Sequence, residues 1–89
     1  MIALYHFKDD SSDKIWGWTK TDDGALSFWG RTRGSLAFKH YNYDVLANQQ
    51  ARKKQNKGYK LVNKSAITSL LPDDFDGQLM LAKLGMVKF

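Results

Sequence analysis

Lys14-Ile15-Trp16-Gly17-Trp18-Thr19-Lys20, then Thr21-Asp22-Asp23-Gly24, then Ala25-Leu26-Ser27-Phe28-Trp29-Gly30-Arg31, is the stretch that decides the fold. The first run alternates. Lys14, Trp16, Trp18 and Lys20 share one side, and Ile15, Gly17 and Thr19 share the other, the period of a β-strand. The middle four residues read as a hairpin loop, with Gly24 free to take a positive φ. The third run alternates again: Leu26, Phe28 and Gly30 point one way, and Ser27, Trp29 and Arg31 the other.

Outward from this hairpin the pattern continues. Ile2–Phe7 alternates as a strand, and Lys8–Asp13 is a turn of residues that bond their own backbone. Thr32-Arg33-Gly34 turns the chain into a fourth strand, Ser35–His40. Asn42 is placed to cap a helix over Tyr43–Lys57, with Asp44 in its first turn and Gly58 ending it. Tyr43, Leu46, Ala47 and Ala51 form the apolar stripe of that helix. Its last turns carry Arg52, Lys53, Lys54 and Lys57 nearly all round, which predicts a helix end projecting past the sheet. Tyr59–Val62 reads as a short fifth strand or extended return. Ser65–Leu71 contains a turn of helix ending before Pro72. Asp73–Leu84 reads as a second helix, weakened by Gly77 and ended by Gly85. The predicted fold class is α+β: an antiparallel four- to five-stranded sheet, one helix packed across it, and a short helical C-terminal extension.

A chain of 89 residues has room for one small domain. Cys is absent, which excludes disulfides, thiol catalysis and Cys-ligated zinc. All nine acidic residues are Asp. No apolar run approaches the roughly 20 residues that cross a bilayer, and the N-terminus lacks the basic and apolar regions of a secretory signal, so a cytoplasmic location with no membrane partner is expected. The net charge of +5 is uneven. Residues 31–64 hold nine basic side chains against Asp44 alone. Patches rather than averages attract polyanions, although a solvated Lys-rich helix would give the same count.

Trp29-Gly30-Arg31 carries the most chemical information. On a strand, Trp29 and Arg31 project from the same face, and Gly30 between them admits close approach of another backbone or helix. A planar indole beside a guanidinium suits a nucleic-acid end, since the ring stacks and the cation holds phosphate. Trp29 has an alternative role as a sheet anchor; Arg31 on its face favours the ligand-facing one. Trp16 and Trp18 read as structural, an exposed stacking platform being the other reading.

The order Asp13-Lys14-Ile15-Trp16-Gly17-Trp18, a short loop, Leu26-Ser27-Phe28-Trp29-Gly30-Arg31, then a strand, a helix and Lys54-Gln55-Asn56-Lys57-Gly58-Tyr59 resembles the WGR domain, known from poly(ADP-ribose) polymerases and from small bacterial proteins. The resemblance covers residues 1–62. It implies an antiparallel sheet crossed by one helix and, as in the polymerases, binding at DNA breaks, with the roles of the motif falling on Trp29 and Arg31. The turn Thr32-Arg33-Gly34-Ser35 is tighter than in many members. Residues 63–89 have no counterpart in the family. They are expected to form an extension that packs on the domain or in a homodimer.

The candidate nucleic-acid-binding residues are Trp29, Arg31, Arg33, Lys39, Lys53, Lys54, Lys57 and Lys60. A single positive surface near Trp29 and Arg31 is expected from the basic helix end, Arg33 and Lys60. His6 and His40 lack companions at metal-ligand spacing, so neither a metal nor another cofactor is expected. The pairs Asp9-Asp10, Asp22-Asp23 and Asp73-Asp74 fall in turns or open a helix, where local bonding and dipole effects explain them. No nucleophile triad or phosphate-binding glycine loop is visible, and no catalytic residues are assigned. Phe75, Leu79, Met80 and Leu84 read as core or dimer contacts. The favoured function is a non-enzymatic module binding DNA ends, nicks or single strands. The alternative is a protein-interaction adaptor or homodimerising domain without nucleic-acid binding.

Overall fold

Alternation gives this sheet two apolar faces, and both are covered. A computed structural model describes residues 2–85. Its strands are β1 (Ile2–Lys8), β2 (Asp13–Thr21), β3 (Gly24–Arg31), β4 (Leu36–Tyr41) and the two-residue β5 (Lys60–Leu61). They form one antiparallel sheet in the order β4-β3-β2-β1-β5. Helix α1 (Asp44–Asn56) follows β4. After β5 come a 3-10 turn (Lys64–Ala66), α2 (Ile67–Leu70) and α3 (Phe75–Lys83). The fold is α+β, as the alternation predicts, with α1 across the sheet and short C-terminal helices.

One face carries Ala3, Tyr5, Phe7, Trp16 and Trp18, packed against Ala51 of α1 and Tyr59. The other carries Leu4, Ile15, Leu26, Phe28, Leu36 and Phe38. One helix cannot cover both faces. The second is closed by the C-terminal extension, which buries Leu71, Phe75 and Ala82 there. The Phe75 ring meets Phe28 edge-on at 5.0 Å, and Phe28 meets Phe38 at 6.0 Å. Such pairs add about 0.5–1.5 kcal/mol beyond burial. Backbone bonds fix the extension as well. The Arg33 amide donates to the Leu70 carbonyl at 2.9 Å, and the Leu36 amide donates to Gln78 Oε1 at 3.0 Å. Residues 63–85 therefore share a core with the sheet.

Several local expectations are corrected. Tyr43, not Asn42, is the N-cap of α1, and no side chain caps it. Its buried stripe is narrower than predicted: Ala47 and Ala51 are covered, but Tyr43, Val45 and Leu46 are exposed. Small residues face the sheet because Trp16 and Tyr5 already fill the space beneath, so bulk on the helix would over-pack it. Helix α3 begins at Phe75 rather than Asp73, with Asp74 at its N-cap. Within α3, Phe75 is in the core and Leu79 packs against it, whereas Met80 and Leu84 are exposed.

Candidate nucleic-acid interface

The β2–β3 hairpin sets the geometry. Its register pairs Lys14 with Arg31 and Trp16 with Trp29 across the strands, on the face that α1 covers. Directly opposed side chains on one face are neighbours. Trp16 is 3% exposed and meets Tyr5 at 5.9 Å; Trp29 is 36% exposed. Of the two paired indoles, Trp16 anchors the sheet and Trp29 presents a ring to solvent. Gly30 faces the other way, and its lack of a side chain is needed there. A Cβ on Gly30 would lie 2.6 Å from the Ser35 carbonyl oxygen. That close approach tightens the β3–β4 turn just beyond Arg31.

Helix α1 brings further cations to the same end of the sheet. Asp44 near its start pairs with Lys20 at 3.6 Å, so the helix begins beside the far end of β2. It ends over Tyr59, where Lys54 Nζ stands 5.3 Å from the ring centroid. Lys14 Nζ stands 6.0 Å from the same centroid and 5.1 Å from that of Phe7. The Phe7 and Tyr59 rings are 5.4 Å apart. Lys54 therefore lies over the sheet rather than projecting past it as predicted, while Arg52, Lys53 and Lys57 are exposed. Lys54 is half-buried, its side chain lying against the Tyr59 ring. Burial, followed by the charges of Lys57 and Lys14, holds the Lys54 ammonium below its ordinary pKa. Burial raises the Tyr59 hydroxyl. Cations thus converge on an aromatic floor, and among the described residues no carboxylate forms an ion pair with Lys14, Arg31, Lys54 or Lys57.

The other candidates divide. Arg33 occupies the turn after Arg31 in the left-handed region, φ 63°, and borders a groove with Asp9, Asp10, Lys14 and Arg31. Lys53 is exposed on the helix beside Lys54. Lys39 shares the Trp29 face, but its register partner is Ser27 and its Nζ lies 5.2 Å from the Tyr41 ring centroid, towards the opposite end of the sheet. Lys60 is not part of the surface. It pairs with His6, whose face is the one covered by the extension, while its neighbours Tyr59 and Leu61 take the α1 side. The single surface expected to include Lys60 is therefore smaller, and Lys14 takes its place. Phe7, Lys14 and Tyr59 were not among the candidates. Counting outward from the Asp22-Asp23 turn places Lys14 opposite Arg31, and that was the available signal.

Acids at this end are held by local bonds. Asp9 Oδ1 accepts from the Ser11 and Ser12 amides at 2.9 and 2.7 Å. Asp13 points away from Lys14. Its Oδ1 accepts from the Thr32 hydroxyl at 2.5 Å and lies 2.6 Å from His6 Nε2. These bonds hold both carboxyls below their ordinary pKa, chiefly through the Ser11 amide for Asp9 and the Thr32 hydroxyl for Asp13. Asp23 is lowered by bonds from Thr21 and His40. Among the described residues no three potential ligands gather to hold a metal ion, and no helix is long and apolar enough to cross a membrane. Comparison with protein-family models, curated proteins and solved structures finds no match.

Proposed function

We propose that this chain is a non-enzymatic nucleic-acid-binding module of the WGR type, contacting DNA ends, nicks or single strands through Trp29, Arg31, Lys14, Lys54 and Lys57. The observation that carries this reading is the meeting of Lys14 and Lys54 at the Phe7–Tyr59 floor, with Lys57 close enough to act on the Lys54 charge, Arg31 beside Lys14 and a half-open indole beside Arg31. Burial, then the charges of Lys57 and Lys14, disfavours the Lys54 ammonium, and a phosphate backbone supplies an anion that offsets this cost. A solvent-facing indole beside the cations offers stacking to a base at an end or in a single strand. Continuous duplex exposes no base face, so the reading favours interrupted DNA.

Binding to blunt, nicked, single-stranded and closed circular DNA tests the proposal. It expects tighter binding to the first three than to the closed circle, with Trp29→Ala removing the difference. Equal affinity for all four, unchanged by Trp29→Ala and Arg31→Ala in folded protein, would defeat it and favour an adaptor role for this face.

A further inference from the structure

We infer that α3 is a homodimer contact, pairing antiparallel with α3 of a second copy. Its inner side, Phe75, Leu79 and Ala82, already lies on the core. Its outer side holds a second apolar stripe, Gly77, Met80, Leu81 and Leu84, at the i, i+3, i+4, i+7 spacing of one helix face. Met80, Leu81 and Leu84 are 63%, 45% and 67% exposed. A helix apolar on two sides is the pattern of one buried on both.

The occupant follows from size and charge along this stripe. Among the described residues nothing lies within 4 Å of a Cβ placed on Gly77, so the helix has a hollow at one end of the stripe and the Leu84 side chain at the other. A two-fold axis between Met80 and Leu81 sets Leu84 of each copy against Gly77 of the other, a self-complementary fit. Asp76 and Lys83 are two helical turns apart, so they share one flank. Antiparallel pairing keeps this flank on one side of the seam and brings Asp76 of each copy to Lys83 of the other, whereas parallel two-fold pairing puts the two flanks on opposite sides and makes no such match. Neither residue has an ion-pair partner among the described residues. Helix α3 lies on the sheet face opposite α1. Such a dimer therefore turns its two cationic surfaces outward, able to engage two polyanions at once.

Sedimentation of the full chain without nucleic acid tests this, so its result stands apart from the DNA reading. The mass should rise with concentration from 10.2 kDa towards twice that value. Leu84→Glu should hold it at the monomer mass. Gly77→Leu should weaken association at least tenfold without lowering the melting temperature of dilute protein, because the hollow is empty in one copy. Asp76→Lys should weaken association, and adding Lys83→Asp should restore it. A constant monomer mass, or a dimer indifferent to Leu84→Glu and Gly77→Leu, would overturn the proposal. Failure of the charge double to restore association would overturn the antiparallel pairing.

Discussion

The ammonium groups of Lys14 and Lys54 stand over one ring, that of Tyr59, at 6.0 and 5.3 Å from its centroid. The ring attracts each cation, and the cations repel one another. Lys54 lies below its ordinary pKa, so over the interval up to 10.5 the unfolded chain binds more protons than the folded one. The protein therefore gains stability from this group as pH rises through that interval. Lys54→Met keeps the stem over Tyr59 and removes the charge. Thermal melts should show Lys54→Met at least as stable as the parent at neutral pH and lacking this alkaline gain. The same variant should bind DNA more weakly.

Gly30→Ala forces a methyl group into the space of the Ser35 carbonyl oxygen, 2.6 Å away. Because the obstacle is backbone, the β3–β4 turn must shift. Urea unfolding should show a loss of about 1–3 kcal/mol, the usual range for over-packing. DNA affinity should fall in the folded fraction too, since Arg31 sits at that turn.

Acid sensitivity should report the contact between β2 and the β3–β4 turn. The Thr32 hydroxyl, then His6, keeps the Asp13 carboxyl below its ordinary 3.8. A depressed carboxyl contributes stability above its unfolded value and loses it as pH falls through the folded one. Thr32→Val should therefore lower stability at neutral pH, and its deficit against the parent should close as pH falls through the folded Asp13 value, read by chemical denaturation at a series of pH values.

The C-terminal extension should be indispensable for folding. Phe75 is buried edge-on against Phe28, and Phe75→Ala should cost about 3–5 kcal/mol in chemical denaturation. A chain ending at Val62 should lack cooperative unfolding, because Leu4, Ile15, Phe28 and Phe38 would lose their cover.

The alternation of Ile15, Gly17 and Thr19 against Trp16 and Trp18 was enough to read the hairpin, because a half-buried strand repeats every two residues. The structural role of Trp16 and the close approach at Gly30 were legible from the residues, but the helix that covers Trp16 was not. The side chosen by Lys60 was not. The return after α1 was read as a unit, and a shift of one residue reverses every side chain. The Leu36–Gln78 bond joins residues 42 positions apart, and no local pattern announces it. Lys54 read as solvent-facing because its charge dominates its letter, whereas its four-carbon stem decides where it lies.

The most direct test of the nucleic-acid proposal is the salt dependence of binding to a DNA end, measured for parent, Arg31→Ala and Trp29→Ala, each first shown folded. On duplex DNA the logarithmic slope is about −0.9 per neutralised phosphate. The account predicts a steep slope for the parent and a slope shallower by about one unit for Arg31→Ala. For Trp29→Ala it predicts an unchanged slope with a loss of about 1–3 kcal/mol in affinity. A parent affinity independent of salt, or folded variants indistinguishable from the parent, would contradict it.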